Sequence, residues 1–224
     1  MPRLLSCNLY LGRADGAALE RLVRERGIDL VCAQELSAAL AARLGRWLGH
    51  GDLQPDNGMR GNGIAARYPV TTRRIAMPQR SACVARLEPG DWPGLAAPLE
   101  IVNLHLAAPH FWPWFPRRLR RAAQVAALLD DRTGADALPH ALVGDFNATP
   151  AWPAYRRMAA GYEDAARVVN GRAGPTWPSL PRLGVAGLFR IDHCLVRGLR
   201  VESFETVTLH GSDHRGLLVD LSPA

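Results

Sequence analysis

The sequence contains no lysine. All 27 of its basic residues are arginine, set against 21 acidic residues, for a net charge of +6 over 224 residues. That absence excludes Schiff-base chemistry, a lysine general base and the phosphate-binding lysine of a P-loop. Arginine keeps its charge at any working pH, so it can hold phosphate or carboxylate but is a poor proton shuttle. A chain rich in alanine and arginine without lysine is also what a GC-rich genome writes, so the absence by itself assigns no function. Cysteine is scarce: Cys7, Cys32, Cys83 and Cys194 are scattered, each in an apolar stretch that reads as a strand, with no C-x-x-C pair. This argues against a zinc site or redox motif and for buried small hydrophobes in a reducing compartment. Long apolar runs are missing too. No stretch approaches the ~20 residues of a membrane span, and the N-terminus has no signal-peptide core. A soluble, cytoplasmic, monomeric protein is expected.

What is present is a chain that is 48% apolar, enough for a sizeable core, and one domain over residues 1–224 is the simplest reading. Short apolar runs alternate with helical patterns. Leu4 to Leu9 reads as a strand, Gly16 to Arg26 as an amphipathic helix closed by Gly27, and Asp29 to Glu35 as a buried strand. A helix is expected over Ser37 to Leu48, then strands at Gly63–Arg67, Cys83–Leu87, Leu99–His105, His140–Val143, Arg190–Val196, Val201–Leu209 and Gly216–Leu221. Helices at Pro116–Asp131 and Ala151–Ala159 separate some of these. Several strand pairs lack an intervening helix, which argues for mixed or antiparallel sheets in an α/β (α+β) fold.

The polar residues sit at the ends of these apolar strands, where an unpaired buried group costs ~1–3 kcal/mol. Asn8 ends the first strand, Glu35 the second, and His105 the Leu99–His105 run; Asp145 and Asn147 follow Ala141-Leu142-Val143-Gly144. Asp192 lies in Phe189-Arg190-Ile191-Asp192, and Asp213-His214 opens the last strand. In an extended Gly144-Asp145-Phe146-Asn147 the two polar side chains point to one side and Phe146 to the other. A carboxylate and an amide aimed at one point suit a water nucleophile beside an oxyanion. Glu35 and Asp213 add hard oxygen ligands without thiolate, favouring Mg²⁺ or Mn²⁺ over zinc. His214 needs an orienting acceptor, and Asp192 is the natural one. Singly, Asn8 reads as a turn cap, Glu35 as a helix-cap partner and Asp213-His214 as an Asx turn; it is the ordered set that points to chemistry.

That set, Asn8, Ala33-Gln34-Glu35, Gly63-Ile64-Ala65-Ala66-Arg67-Tyr68-Pro69, Asn103-Leu104-His105-Leu106, Gly144-Asp145-Phe146-Asn147, Arg190-Ile191-Asp192-His193 and Ser212-Asp213-His214-Arg215, resembles the endonuclease/exonuclease/phosphatase superfamily. The group includes DNase I, abasic-site endonucleases, neutral sphingomyelinases and inositol polyphosphate phosphatases. The resemblance runs from Leu5 to Leu221 and implies a four-layer αββα sandwich with the site at one edge of two packed sheets. It implies that Glu35 binds a divalent metal, Mg²⁺ or Mn²⁺, with Asn8 and Asp213 close to it. It implies further that Asp145 positions and deprotonates water, that Asn147 supports the phosphate or nucleophile, that His214 held by Asp192 offsets charge or moves a proton, and that His105 holds a non-bridging oxygen. Abasic-site endonucleases carry Asn-x-Asp or Asn-x-Asn at the first motif and a tyrosine in place of His105. Asn8-Leu9-Tyr10 departs from that pattern, which moves the chain toward the DNase I, sphingomyelinase and phosphatase side.

The expected activity is metal-dependent hydrolysis of a phosphodiester, with nucleic acid preferred because of the basic balance. The segment from His110 to Arg121 combines aromatics such as Trp112 with arginines such as Arg117 and Arg121. It could line a substrate entrance, where it also fits a lipid-linked or small phosphate ester and peripheral membrane contact. The Gly174-Pro175-Thr176-Trp177-Pro178-Ser179 loop resembles a substrate-side loop, with Trp177 the candidate contact. A non-catalytic nucleic-acid-binding module is the reading of another class; it predicts loss of site residues, and all are retained. His50, His110, His140, His193 and His210 are expected at the surface or in structural positions, with His193 facing away from Asp192.

Overall fold

Two β-α-β units seed the architecture. In the first, β1 (Arg3–Asn8) leads through α1 (Gly16–Glu25) to β2 (Leu30–Gln34). Asp15 caps the helix by accepting from the N–H groups of Ala17 and Ala18, Leu19 and Val23 bury one face, and Gly27 takes the left-handed turn that releases the chain (φ 57°). β1 and β2 pair in parallel from Leu4↔Leu30 to Asn8↔Gln34. The second unit is β7 (Leu99–His105), α3 (Trp114–Arg132) and β8 (His140–Asp145), again parallel, ending at His105↔Asp145. The remaining elements are α2 (Ala38–Leu48), β3 (His50–Gln54), β4 (Asn62–Ala66), β5 (Thr71–Met77), β6 (Arg80–Leu87), α4 (Pro153–Ala159), β9 (Glu163–Asp164), α5 (Ala165–Asn170), β10 (Asp192–Arg197), β11 (Leu199–Thr208) and β12 (Arg215–Pro223). This computed structural model describes residues 1–109, 114–132, 138–170, 174–179, 184 and 187–224.

The strands form two six-stranded mixed sheets, ordered β11-β12-β1-β2-β4-β3 and β5-β6-β7-β8-β10-β9. One apolar cluster, including Leu4, Cys32, Ile64, Ile101, Val143 and Val219, lies between the sheets. A second joins the first sheet to α1 and α2 through Leu19, Val23, Leu40 and Leu44, and a third joins the second sheet to α3 and α4 through Val125, Leu128, Tyr155 and Met158. The result is the αββα sandwich. The central strands are buried on both faces, which is why they read as near-continuous apolar runs. A polar pin crosses between the sheets: the Gln34 amide donates to Asn103 Oδ1 (2.7 Å), and Asn103 Nδ2 donates to the carbonyls of Ala33 (3.0 Å) and Gly63 (2.8 Å).

The expected strands and helices are all found, with ends moved by a few residues. β3, β5, β9 and α5 are additions. The three strands lie at sheet edges, where one flank faces solvent and no apolar alternation is required. β5 carries arginines on its two faces, Arg73 paired with Asp131 of α3 and the largely covered Arg74 with Asp52 of β3 in the other sheet. The four cysteines are buried and unpaired. Among the described residues, no helix is long and apolar enough to cross a membrane.

Candidate active site

Strand direction gathers the polar residues at one edge of the sandwich. The parallel strands β1, β2, β7 and β8 run toward that edge and deliver Asn8, Glu35, His105 and Asp145 at or just past their C-terminal ends. Their antiparallel neighbours start there: β6 with Arg80, β10 with Asp192, and β12 just after Asp213 and His214. A cavity of about 100 Å³ opens at this edge, lined by residues that include Tyr10, Glu35, Arg80, His105, Asp145, Asn147, Trp177, Asp213 and His214.

Asp145 is the hub. Its Oδ1 accepts from the backbone N–H of Asn147 (2.8 Å), and its Oδ2 accepts from Asn147 Nδ2 (3.0 Å) and Asn8 Nδ2 (3.1 Å). His105 Nε2 lies 3.4 Å from the same oxygen. Burial raises the carboxyl's pKa, but the His105 hydrogen bond, the charges of His105 and His214 and the Asn147 N–H outweigh it and bring Asp145 down to about 2. Asn147 has φ 47°, so it meets Asp145 by turning back into the left-handed region, not by the extended alternation the sequence suggested. The turn satisfies the Asn147 N–H and amide within the site, while Phe146 still enters the core, fully buried. Glu35, also left-handed at φ 52°, accepts from the Leu11 N–H at 2.8 Å and lies 3.5 Å from Asn8 Nδ2. With Tyr10 (φ 46°) and Leu11 (φ 54°), four non-glycine residues held in this region line one cavity, the kind of place where strain is retained for function.

Across the cavity, His214 Nδ1 lies 2.9 Å from Asp192 Oδ2, and its Nε2 is 4.0 Å from both Asp145 Oδ2 and Asp213 Oδ1. Burial disfavours the imidazolium, yet Asp192, Asp145 and Asp213 together raise His214 to about 10. It is therefore protonated at neutral pH and held by its hydrogen bond to Asp192. Thr176, buried behind this pair, accepts from the N–H groups of Ile191 (3.1 Å) and Asp192 (3.2 Å). Trp177 Nε1 donates to Asp213 Oδ2 at 3.0 Å, while Asp213 Oδ1 is buried without a hydrogen-bond partner. An orphaned carboxylate oxygen in the cavity that Glu35 also lines is a donor set that suits a hard divalent cation. Asp145, Asp192 and His214 also have ligand atoms within 4.8 Å of one another, with the Asp192–His214 hydrogen bond inside the trio.

Every strand-end residue singled out in the sequence thus reaches the same edge. Asn8 accepts at Oδ1 from the Tyr10 N–H (3.0 Å), and its amide donates to the neighbouring carboxylates. Arg121 is placed behind the cavity wall, where Nη1 donates to the Asn147 carbonyl (2.7 Å) and the guanidinium lies 5.4 Å from the Trp152 ring centre. Trp112 falls outside the described residues. His193 is structural, its Nε2 on the Ala148 carbonyl (2.8 Å) and its ring against Phe146 and Tyr155. Arg80 and Thr176 were not singled out in the sequence. Arg80 lies on the cavity wall with one guanidinium N–H on the Met59 carbonyl (2.8 Å). Burial, and the nearby Arg60 and Arg117, lower its pKa, while Asp145 and Glu35 raise it. Its only local signal is an arginine opening an apolar strand, a pattern shared with solvated edge arginines.

The model of the Endonuclease/Exonuclease/phosphatase family matches residues 5–214. Among solved structures, the chain is similar to a humanized TDP2 from D. rerio (TM-score 0.77, 18% identity, 99% of this chain and 98% of that one). It is equally similar in identity to a functionally unknown conserved protein from Enterococcus faecalis (TM-score 0.75, 18%, 99% and 100%). The 3′ phosphatase NExo from Neisseria, bound to a product DNA hairpin, also matches (TM-score 0.73, 18%, 99% and 100%). No curated protein matches the sequence.

Proposed function

The chain belongs to the endonuclease/exonuclease/phosphatase family, and from that premise we propose that it is a divalent-metal-dependent phosphoester hydrolase, acting on phosphodiesters of nucleic acid. The observation that carries this reading is the convergence of Asp145, Glu35, His105, Asp213 and the Asp192–His214 pair, from both sheets, on one cavity. Soluble domains do not gather that many buried polar groups without a use for them. Glu35 and Asp213 would hold Mg²⁺ or Mn²⁺, with Asn8 orienting Glu35. When bound, the ion supplies positive charge to offset that of the phosphoryl oxygens.

The chain's own residues do the rest. Asp145, ionised at any working pH, accepts a hydrogen bond from water and aims it in line at phosphorus. A carboxylate of such low basicity suits orientation more than early proton removal, so the water proton passes to Asp145 late, as the bond from water oxygen to phosphorus forms, and the leaving oxygen departs as its bond breaks, carrying the negative charge until solvent protonates it. Protonated His214 directs Nε2–H at the developing negative charge, with Asp192 fixing its ring. Arg80 offers its remaining N–H groups to non-bridging oxygens, and His105 steadies Asp145 from the opposite side.

Turnover of bis-p-nitrophenyl phosphate tests the chemistry: it should require Mg²⁺ or Mn²⁺, stop with EDTA, and fall by about 10²–10³ in kcat in Asp145→Asn and His214→Ala. Full turnover in either variant would defeat the assignment. Nicking of plasmid DNA tests the substrate class. A second reading, hydrolysis of a lipid-linked or small phosphate ester, is supported by Leu188 and Phe189, 70% and 48% exposed, with Phe189 stacked on Trp177 at 6.3 Å. Metal-dependent cleavage of phospholipid vesicles without DNA nicking would favour it.

A further inference from the structure

The core-facing stripe of α3 runs Arg121, Gln124, Val125, Leu128 and Arg132, all buried. At these positions a helix lying on a sheet places apolar side chains. Gln124 is fully buried all the same, and both ends of its amide are engaged. Its Oε1 accepts from the Ala107 N–H (2.8 Å), and its Nε2 donates to the Pro78 carbonyl (2.9 Å). The two segments so joined are the ones that part company at the cavity. The β6–β7 ladder has its last pair at Cys83↔Asn103. Beyond it no pair joins the two strands, β6 running on to Arg80 and β7 to His105, both of which line the cavity. Gln124 thus substitutes for the peptide unit that the ladder lacks, tying Pro78, two residues before Arg80, to Ala107, two residues after His105. One turn earlier, Arg121 Nη1 holds the carbonyl of Asn147 (2.7 Å), two residues after Asp145.

We propose that Gln124, with Arg121, is a positioning pair for the hydrolase reaction: two polar side chains one turn apart on α3 that set the spacing of the strand-end loops bearing Arg80, His105 and Asp145–Asn147. Both act on backbone atoms, so they fix where those loops lie and leave the identity of their side chains free. An apolar residue at position 124 would satisfy the packing of the helix but leave the Ala107 N–H and Pro78 carbonyl to relax apart. Stability is one reason to keep glutamine there, since an apolar residue would leave the buried Ala107 N–H without its acceptor, at a cost of about 1–3 kcal/mol. Geometry is a second, because displacing a reacting group by about 1 Å costs on the order of a hundredfold in rate.

This inference rests on the hydrolase reading, so its test has an arm that does not. In the metal-free wild-type protein, amide hydrogen exchange should show the Ala107 N–H protected as strongly as the ladder amides of β7. In Gln124→Met that protection should fall about tenfold or more while the α3 amides keep theirs. Exchange of Ala107 at the rate of an exposed loop in the wild type would overturn the proposal whether or not the protein is a hydrolase. In the second arm, with Mg²⁺ and bis-p-nitrophenyl phosphate well below the unfolding temperature, Gln124→Met should lower kcat about tenfold or more with KM changed less than about threefold. Arg121→Lys, which keeps a donor for the Asn147 carbonyl, should retain most of the kcat that Arg121→Met loses. A kcat within about twofold of wild type in folded Gln124→Met, or equal losses in the two Arg121 variants, would reduce both residues to structural ones. Absence of turnover in the wild type, with Ala107 protected, would count against the hydrolase reading alone.

Discussion

Asp145 and Asp192 are both buried carboxylates at the same edge, yet burial raises Asp192 above its ordinary range while Asp145 is brought down to about 2. The difference lies in the donors. Asp145 accepts from two asparagine amides, a backbone N–H and His105, whereas Asp192 answers chiefly to His214. Histidines divide by whether carboxylates outweigh burial. His214, near Asp192, Asp145 and Asp213, is raised; His105, where burial and Arg80 outweigh Asp145 and Glu35, is lowered, as burial first lowers His140 and His193, and His193 reaches about 3. For a histidine lowered in the folded state, the unfolded chain binds the proton more tightly. Its contribution to stability is therefore complete above the unfolded value of 6.5 and is lost as pH falls toward the folded value of about 3. Urea unfolding should accordingly show stability declining steadily from about pH 6.5 downward. His193→Gln should flatten that decline even if it lowers stability overall; an unchanged slope would remove His193 as a cause.

At the scale of the element, the end of β8 shows how a strand becomes a site. Gly144 sits at φ 136°, and a Cβ there would lie 2.0 Å from the Leu104 carbonyl oxygen. Only glycine lets β7 and β8 approach closely enough for His105 and Asp145 to stand side by side. Gly144→Ala should destabilise the protein by roughly 2 kcal/mol or more, read as a lowered unfolding midpoint, and should cost activity beyond the fraction unfolded. The central strands are legible in the sequence because both their faces are buried, and a short apolar run closed by a polar residue fits little besides a strand of that kind. The edge strands β3, β5 and β9 are not, because packing demands little of a strand with one open flank. The Asp145–Asn147 geometry escapes the sequence for a related reason. A left-handed residue breaks the period-two rule, and nothing in Asp145-Phe146-Asn147 announces the break.

Across the whole molecule, the two sheets are joined by apolar contacts and by the Gln34–Asn103 pin. Gln34 Oε1 already lacks a partner, so Asn103→Leu, which would strip Gln34 Nε2 of its Asn103 acceptor, should cost roughly 1–3 kcal/mol by thermal or chemical unfolding. A neutral result would mean that water replaces the lost bond. Cation binding couples to the same fold. If Glu35 and Asp213 form the metal position, Mg²⁺ at a hundredfold excess over its dissociation constant should stabilise the protein by about 2.7 kcal/mol, and Glu35→Gln should remove most of that shift in unfolding temperature.

The sequence by itself determined which residues could do chemistry. Acid, amide and imidazole groups closing apolar strands are costly to bury, and their order along the chain carried the family and its sandwich fold. Only the tertiary structure decided how they work together. Arg80 reaches the cavity because β6 runs antiparallel to β7, Arg121 turns from the substrate side to the Asn147 carbonyl, and Thr176 holds the strand that bears Asp192. Gln124 bridges segments 46 and 17 residues away. The physical reason is common to all four. Each acts at a distance in sequence, mostly through backbone atoms that every residue possesses, so no local pattern can encode the contact until the chain has folded.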